Sequence, residues 1–249
     1  SGTRAAVVGQ GNVALDGARM LLTPAEQLAS TDIADHALEA LSSSRIREVT
    51  LLGWRGPAQV AFTLPELKEL AARDDLDVVI APDELREDAT LGPDASRGRE
   101  QVLSLLHEVA ERPPRGCERR LVIRFMVSPV AFHGDDRVRE VEMAHTVLEH
   151  DADGVMVARA TGTREGMPAD LVLTAIGYRG AALPGVPFDQ VRGVIPNVRG
   201  RVIDPVSGQA RPGEYVAGWI KRGPSGVIGT NKPDARETVD ALLQDVGET

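Results

Sequence analysis

The chain has 249 residues, 42% hydrophobic and 26% charged, which is the composition of a globular protein long enough for two packed cores or one large one and excludes disorder as its default state. A net charge of −9 with only 3% aromatic residues excludes a surface built to neutralise phosphates and stack bases along a nucleic acid. A single cysteine, Cys117, excludes an internal disulfide and a cysteine-ligated metal or iron–sulfur centre, and with no apolar run of about 18 residues and no charged-then-apolar leader we expect a soluble cytoplasmic protein without a membrane span.

The sequence opens at Ser1 rather than a methionine and reaches a core strand within a few residues, so we expect a piece of something longer. Ala5-Ala6-Val7-Val8 is an apolar strand that runs directly into Gly9-Gln10-Gly11-Asn12-Val13-Ala14, a G-x-G-x-x-A turn, and then into an amphipathic helix. In a dinucleotide-binding fold each small residue has its own task. Gly9 permits the tight turn, Gly11 lets the backbone approach a pyrophosphate, and Ala14 lets helix and strand pack closely, while the helix start offers free N–H groups to an anion. A tight βα turn without a ligand has the same local pattern.

Ile33, Ala34, Ala37, Leu38 and Leu41 repeat at helical spacing, which predicts an extra helix in the crossover and delays the second strand, Val49–Leu52, to about 40 residues after the first. The loop after that strand, Gly53-Trp54-Arg55-Gly56-Pro57, carries an arginine and no acid. A ribose 2′-hydroxyl suits an acid and a 2′-phosphate suits an arginine, so Arg55 points to NADP(H); a solvated loop arginine beside a half-buried Trp54 is the alternative. Leu64–Ala72 predicts a short helix with Glu66 and Glu69 off its apolar face, Leu76–Ile80 a buried strand, 87–98 a polar excursion and Gln101–Ala110 a helix. Arg112, Arg115, Arg119 and Arg120, with Arg124 beyond, form the one basic concentration of an acidic chain, either a docking site for an acidic protein or a solvated loop. Apolar runs at Leu121–Met126, Val138–Met143, Val155–Val157 and Leu171–Ile176 predict strands and hairpins, and His107, His133, His145 and His150 lack metal-ligand spacing.

Near the end, Gly218-Trp219-Ile220-Lys221-Arg222-Gly223-Pro224-Ser225-Gly226-Val227-Ile228-Gly229 follows a strand and opens a helix, again leaving backbone N–H groups to face a ligand. This stretch closely resembles the C-terminal signature of the adrenodoxin reductase family of ferredoxin–NADP reductases. Gly9–Asp16, Arg55-Gly56-Pro57, Ala61-Phe62-Thr63, Ala175–Tyr178 and Val194–Asn197 resemble the same family in its order. The resemblance implies an α/β chain, a Rossmann-like dinucleotide-binding domain of three-layer architecture followed by part of a second, FAD-binding domain. We place the NADP-binding domain at residues 1–178 and the C-terminal segment of a split FAD-binding domain at 179–249.

By the same resemblance, NADP(H) binds through Gln10, Gly11, Asn12, Val13, Arg55 and Glu66, with Gly226 near the nicotinamide; Gly9 of the turn and Trp54, whose indole can stack on the adenine, complete the expected cofactor contacts. FAD contacts come from Trp219, Gly226, Val227 and Ile228, and Glu69 matches an acid near the cofactor junction, the one catalytic assignment. The implied reaction is hydride transfer between NADPH and FAD, then electrons to a ferredoxin-type iron–sulfur protein. Three departures bear on this. No second glycine fingerprint is present, so most of the FAD site would have to come from elsewhere, for instance from a separate chain. Trp54 stands where the family has the first of two arginines, and Gly17 replaces the usual valine in the first helix. A non-catalytic NADP(H)-binding remnant is the competing expectation; a flavin-free dehydrogenase fits less well, because no acid–base pair is positioned for a substrate hydroxyl.

Overall fold

The computed structural model describes residues 2–85, 97–152, 154–224, 226 and 228–247, with only the backbone of Ile228; the chain divides into two compact units, Ser1–Ile176 and Gly177–Thr249. In the first unit, β1 (Arg4–Val8) leads into α1 (Asn12–Leu22), the short α2 (Ala25–Leu28) and α3 (Asp35–Ser42), and then β2 (Glu48–Leu52). After α4 (Leu64–Ala71), β3 (Leu76–Ile80), α5 (Arg97–Glu111) and β4 (Arg119–Arg124) come the long antiparallel strands β5 (Val127–His133), β6 (Glu140–His150) and β7 (Met156–Pro168), and finally β8 (Leu171–Thr174). The excursion expected at 87–98 lies almost wholly outside the described residues.

Five parallel strands in the order β3-β4-β2-β1-β8 form the central sheet. Strand alternation assigns its two faces. Ala5 and Val7 of β1, with Val49 and Leu51 of β2, face a core completed by Leu15, Ala18 and Leu22 of α1, Leu67 and Leu70 of α4, and Val102, Leu106 and Val109 of α5. The residues of opposite parity, Ala6, Val8 and Leu52, face a second cluster with Val127, Val141 and Met143 of the antiparallel sheet β5-β6-β7. Helices, parallel sheet and antiparallel sheet thus make three layers. Ala14 is fully buried in the helical layer, where a larger side chain would have no room without repacking. Gly17 meets only Leu173 Cδ1 at 3.8 Å, so the packing does not require a glycine there.

The second unit contains the three-stranded sheet of β9 (Asn197–Val198), β10 (Arg201–Ile203) and β11 (Ala210–Tyr215), followed by α6 (Trp219–Arg222) and α7 (Ile228–Gly247). Its apolar core is small, with Ile195, Val202 and Val216 buried and Val186, Phe188 and Ile220 packed on them. A buried ionic cluster supplements it. Lys221 Nζ donates to Glu237 at 2.7 Å and lies 3.1 Å from Asp234, whose other oxygen accepts the Gly218 N–H at 2.7 Å. Among the described residues no helix is long and apolar enough to cross a membrane.

Candidate nucleotide site

β1 ends at the point where the strand order turns, with β2 on one side and β8 on the other, and this crevice beyond the carboxyl ends is where open α/β sheets bind ligands. Gly9 leaves the strand there with φ +131°, and a Cβ on it would stand 2.3 Å from the Ala175 carbonyl oxygen. Only glycine fits. Gly11 is different: it caps α1 with φ −107°, open to any residue, and the nearest atom to an added Cβ is Ala61 Cβ at 4.0 Å. The fold therefore does not demand a glycine at 11. The first helical bonds run from Ala14 and Leu15 N–H to the Gly11 carbonyl, leaving the amides ahead of them at the positive end of α1.

The polar side chains of the turn are committed to the scaffold. Gln10 Nε2 donates to the Arg124 carbonyl at 2.8 Å, and the side chain lies over Gly53, where a Cβ would come within 1.9 Å of Gln10 Oε1. Asn12 Oδ1 accepts the Thr63 N–H at 2.8 Å, and the Gln10 carbonyl accepts the N–H groups of Ala61 and Phe62. These bonds fix the backbone of the turn, and Val13 lies exposed beside it.

The loop after β2 comes to the same end of the sheet. Trp54 is half-buried, its indole packed on the second core cluster, whereas Arg55 is exposed and its guanidinium has no ion pair or hydrogen bond among the described residues. Glu66 and Glu69 project from α4 toward α1 and share Arg19, at 2.6 and 3.3 Å, with Asp16 on its other side. Burial opposes the Arg19 charge, but these carboxylates more than offset it and hold its pKa above the ordinary value. Both acids expected at the cofactor are thus engaged in an α1–α4 ion-pair cluster.

In the second unit Trp219 opens α6 and stacks on Tyr178, with ring centroids 6.2 Å apart and 30° between planes; both rings are largely exposed. Gly226 has φ +85°, and a Cβ on it would meet Thr230 Oγ1 at 2.5 Å. Ile228 begins α7, and Val227 lies outside the described residues.

The arginine-rich segment is not an open basic patch. Arg112 pairs with Glu108 at 2.5 Å, Arg115 with Asp74 at 3.3 Å, Arg120 with Glu48 at 2.8 Å, and Arg124 with Glu84 and with Glu165 at 2.8 Å; Arg119 lies 3.7 Å from Glu118. The loop wraps Asp77, whose carboxylate accepts the N–H groups of Arg115, Gly116 and Cys117. Burial opposes its ionisation, yet these bonds hold its pKa below the usual range. These pairs favour the alternative of a solvated loop over a docking surface, since neutralised arginines steer an acidic partner weakly. A cleft of about 400 Å³ lined by Arg4, Arg47, Glu48, Asp77, Cys117 and Arg120 lies here, at the amino end of the sheet. Among the described residues no cluster of His, Cys, Asp or Glu is arranged to hold a metal.

Two residues near Arg55 carry no signal in the sequence. Thr146 of β6 donates its hydroxyl to the Trp54 carbonyl at 2.8 Å across 92 positions, and Met126, at φ +55°, donates its N–H to the Arg55 carbonyl at 3.2 Å.

No protein-family model matches the chain. It is 50% identical over 250 residues to NADPH-ferredoxin reductase FprA of Mycobacterium tuberculosis, covering 99% of this chain and 53% of that protein. It is 42% identical over 264 residues to the mitochondrial NADPH:adrenodoxin oxidoreductase of Arabidopsis thaliana, covering 98% of this chain and 53% of that protein. The solved structure of M. tuberculosis FprA in complex with NADPH matches with a TM-score of 0.87 at 49% identity, covering 100% of this chain and 54% of that one. The likeness to the adrenodoxin reductase family thus extends over nearly the whole chain, which spans about half the length of the relatives it matches.

Proposed function

We propose that this homologue of NADPH-ferredoxin reductase and adrenodoxin reductase carries, in residues 1–178, the NADPH-binding domain of a ferredoxin–NADP reductase and, in residues 179–249, the C-terminal segment of its FAD-binding domain. The observation that carries the reading is the vacant space over Gly11. Among the described residues nothing in the packing or the backbone requires a glycine there, and the free space lies at a helix N-terminus beyond the end of β1, where a pyrophosphate finds donors and the positive end of the helix. The Arg55 guanidinium, on the adjoining loop and without an ion pair or hydrogen bond among the described residues, is chemically suited to a 2′-phosphate.

In this reading Gly9 sets the turn, the backbone from Gly11 to Val13 holds the pyrophosphate, and Gln10 and Asn12 keep that backbone in place. Trp54 and Glu66 serve the site from behind, Trp54 by seating the Arg55 loop on the core and Glu66 by fixing α1 to α4 through Arg19. Glu69, on the same arginine, helps to orient α1 beside the turn. Trp219, Gly226, Val227 and Ile228 contribute the exposed ring and the backbone donors that this chain offers to a flavin. When bound, FAD would accept the hydride and release electrons singly to a ferredoxin-type iron–sulfur protein. The chain's own work is alignment and exclusion of water. The remaining flavin contacts come from sequence that the relatives have outside the matched half, whether on the same or a separate polypeptide.

That half-length match also supports a second reading, NADP(H) binding without turnover by this chain alone. Calorimetric titration of the chain with NADPH and NADH tests the common premise. A single site that prefers NADPH supports it, and equal or absent binding of the two contradicts it.

A further inference from the structure

Among the described residues Arg55 has no side-chain partner, so its aim is set by its backbone, and the two peptide groups flanking its Cα are each held by a distant residue. The Trp54 carbonyl accepts the buried Thr146 hydroxyl at 2.8 Å, and the Arg55 carbonyl accepts the Met126 N–H at 3.2 Å. Met126 and Thr146 are themselves joined, Thr146 N–H to Met126 carbonyl at 2.7 Å, where the β6–β7 register shifts between Ala144 and Thr146. Met126 holds φ +55°, a left-handed conformation that a non-glycine residue adopts at a cost, and such strain persists where the surroundings over-determine it. This geometry turns the Met126 N–H onto Arg55.

We propose that Thr146 is a positioning residue for cofactor choice: with Met126 it fixes the backbone on both sides of Arg55 and so aims the guanidinium at the 2′-phosphate that distinguishes NADPH from NADH. The third layer of the domain is then part of the specificity device as well as a cover for the sheet. The inference rests on the NADPH-binding reading above. It extends that reading to a residue remote in sequence that touches no ligand.

The test uses the whole chain and calorimetric titration with NADPH and NADH, on the unaltered protein and on Thr146→Val, Thr146→Ser, Arg55→Ala and Thr146→Val/Arg55→Ala. Thr146→Val preserves shape and removes the donor. Losing one hydrogen bond's worth of order should weaken NADPH binding roughly 3- to 10-fold and leave NADH unchanged. Thr146→Ser should restore NADPH binding, and the double variant should bind NADPH no more weakly than Arg55→Ala alone. Thermal unfolding verifies folding, and Thr146→Ala, expected to show the same selective loss, replaces Thr146→Val if that variant does not fold. An equal loss for both nucleotides, or no loss for NADPH, overturns the proposal while the NADPH-binding reading stands. Failure of the unaltered chain to bind NADPH overturns that reading, and the proposal with it.

Discussion

Gly9 and Gly11 stand two positions apart in one turn, and the structure gives them opposite reasons for being glycine. Gly9 has φ +131° and would place a Cβ 2.3 Å from a backbone oxygen, so Gly9→Ala combines left-handed strain with a collision that no side-chain rotation relieves. We expect it to cost at least about 2 kcal/mol of stability. Gly11→Ser should behave otherwise. The N-cap conformation at 11, φ −107° and ψ 178°, suits serine, the nearest atom is 4.0 Å away, and N-cap serine and glycine differ by only a few tenths of a kcal/mol. Its melting temperature should stay within about 2 °C of the unaltered chain. The new side chain would nevertheless occupy the space proposed for the pyrophosphate. One charge-assisted contact is worth about 1.5–3 kcal/mol, so NADPH affinity should fall roughly 10- to 150-fold. Scanning calorimetry and nucleotide titration of both variants decide the matter. A Gly11→Ser protein that binds NADPH normally, or one as destabilised as Gly9→Ala, would refute the argument that this glycine is kept for a ligand.

Gly17→Ala, in the interior of α1 with its nearest neighbour at 3.8 Å, should stabilise the first unit by about 0.5–1 kcal/mol, read from denaturant unfolding; a loss would mean that Leu173 cannot accommodate the methyl. Asp245 accepts hydrogen bonds from Arg201 and Tyr215, and these lower its pKa from 3.8 to about 2. A depressed carboxylate contributes stability that is fully present above its unfolded pKa and is lost as pH falls through the folded one. Asp245→Asn should therefore destabilise the second unit at neutral pH, with the difference from the unaltered chain shrinking between about pH 4 and pH 2; a pH-independent difference would exclude the ionic origin. The chain purified by itself should lack stoichiometric FAD, because it matches only about half of its relatives' length, and a stable yellow cofactor at one per chain after desalting would contradict that.

The β1–turn–α1 unit was legible because its information is local: strand, glycine spacing and helix are contiguous, and the apolar period changes within a few residues. The extra crossover helix reads in the same way, although α3 covers Asp35–Ser42 and starts after Ile33 and Ala34, the first two apolar positions of the pattern. The antiparallel layer was only partly readable. β7 is exposed along most of its length, so it has no apolar alternation, and β5 includes Pro129 at a register shift. The placement of β4 between β2 and β3 depends on long-range pairing that no local pattern encodes. The same limit applies to the arginine segment, where Arg120 meets Glu48 and Arg124 meets Glu84 and Glu165 across the fold. Gln10 and Asn12 were recognisable as members of the turn, but their work as braces to Arg124 and Thr63 was not.

The most direct measurement is a crystal structure of the chain grown with NADPH. The pyrophosphate should lie against the backbone of Gly11 to Val13, with the 2′-phosphate at the Arg55 guanidinium, at the carboxyl end of the parallel sheet. Nucleotide bound instead in the cleft of about 400 Å³ at the amino end, among Arg4, Arg47 and Arg120, would contradict the account.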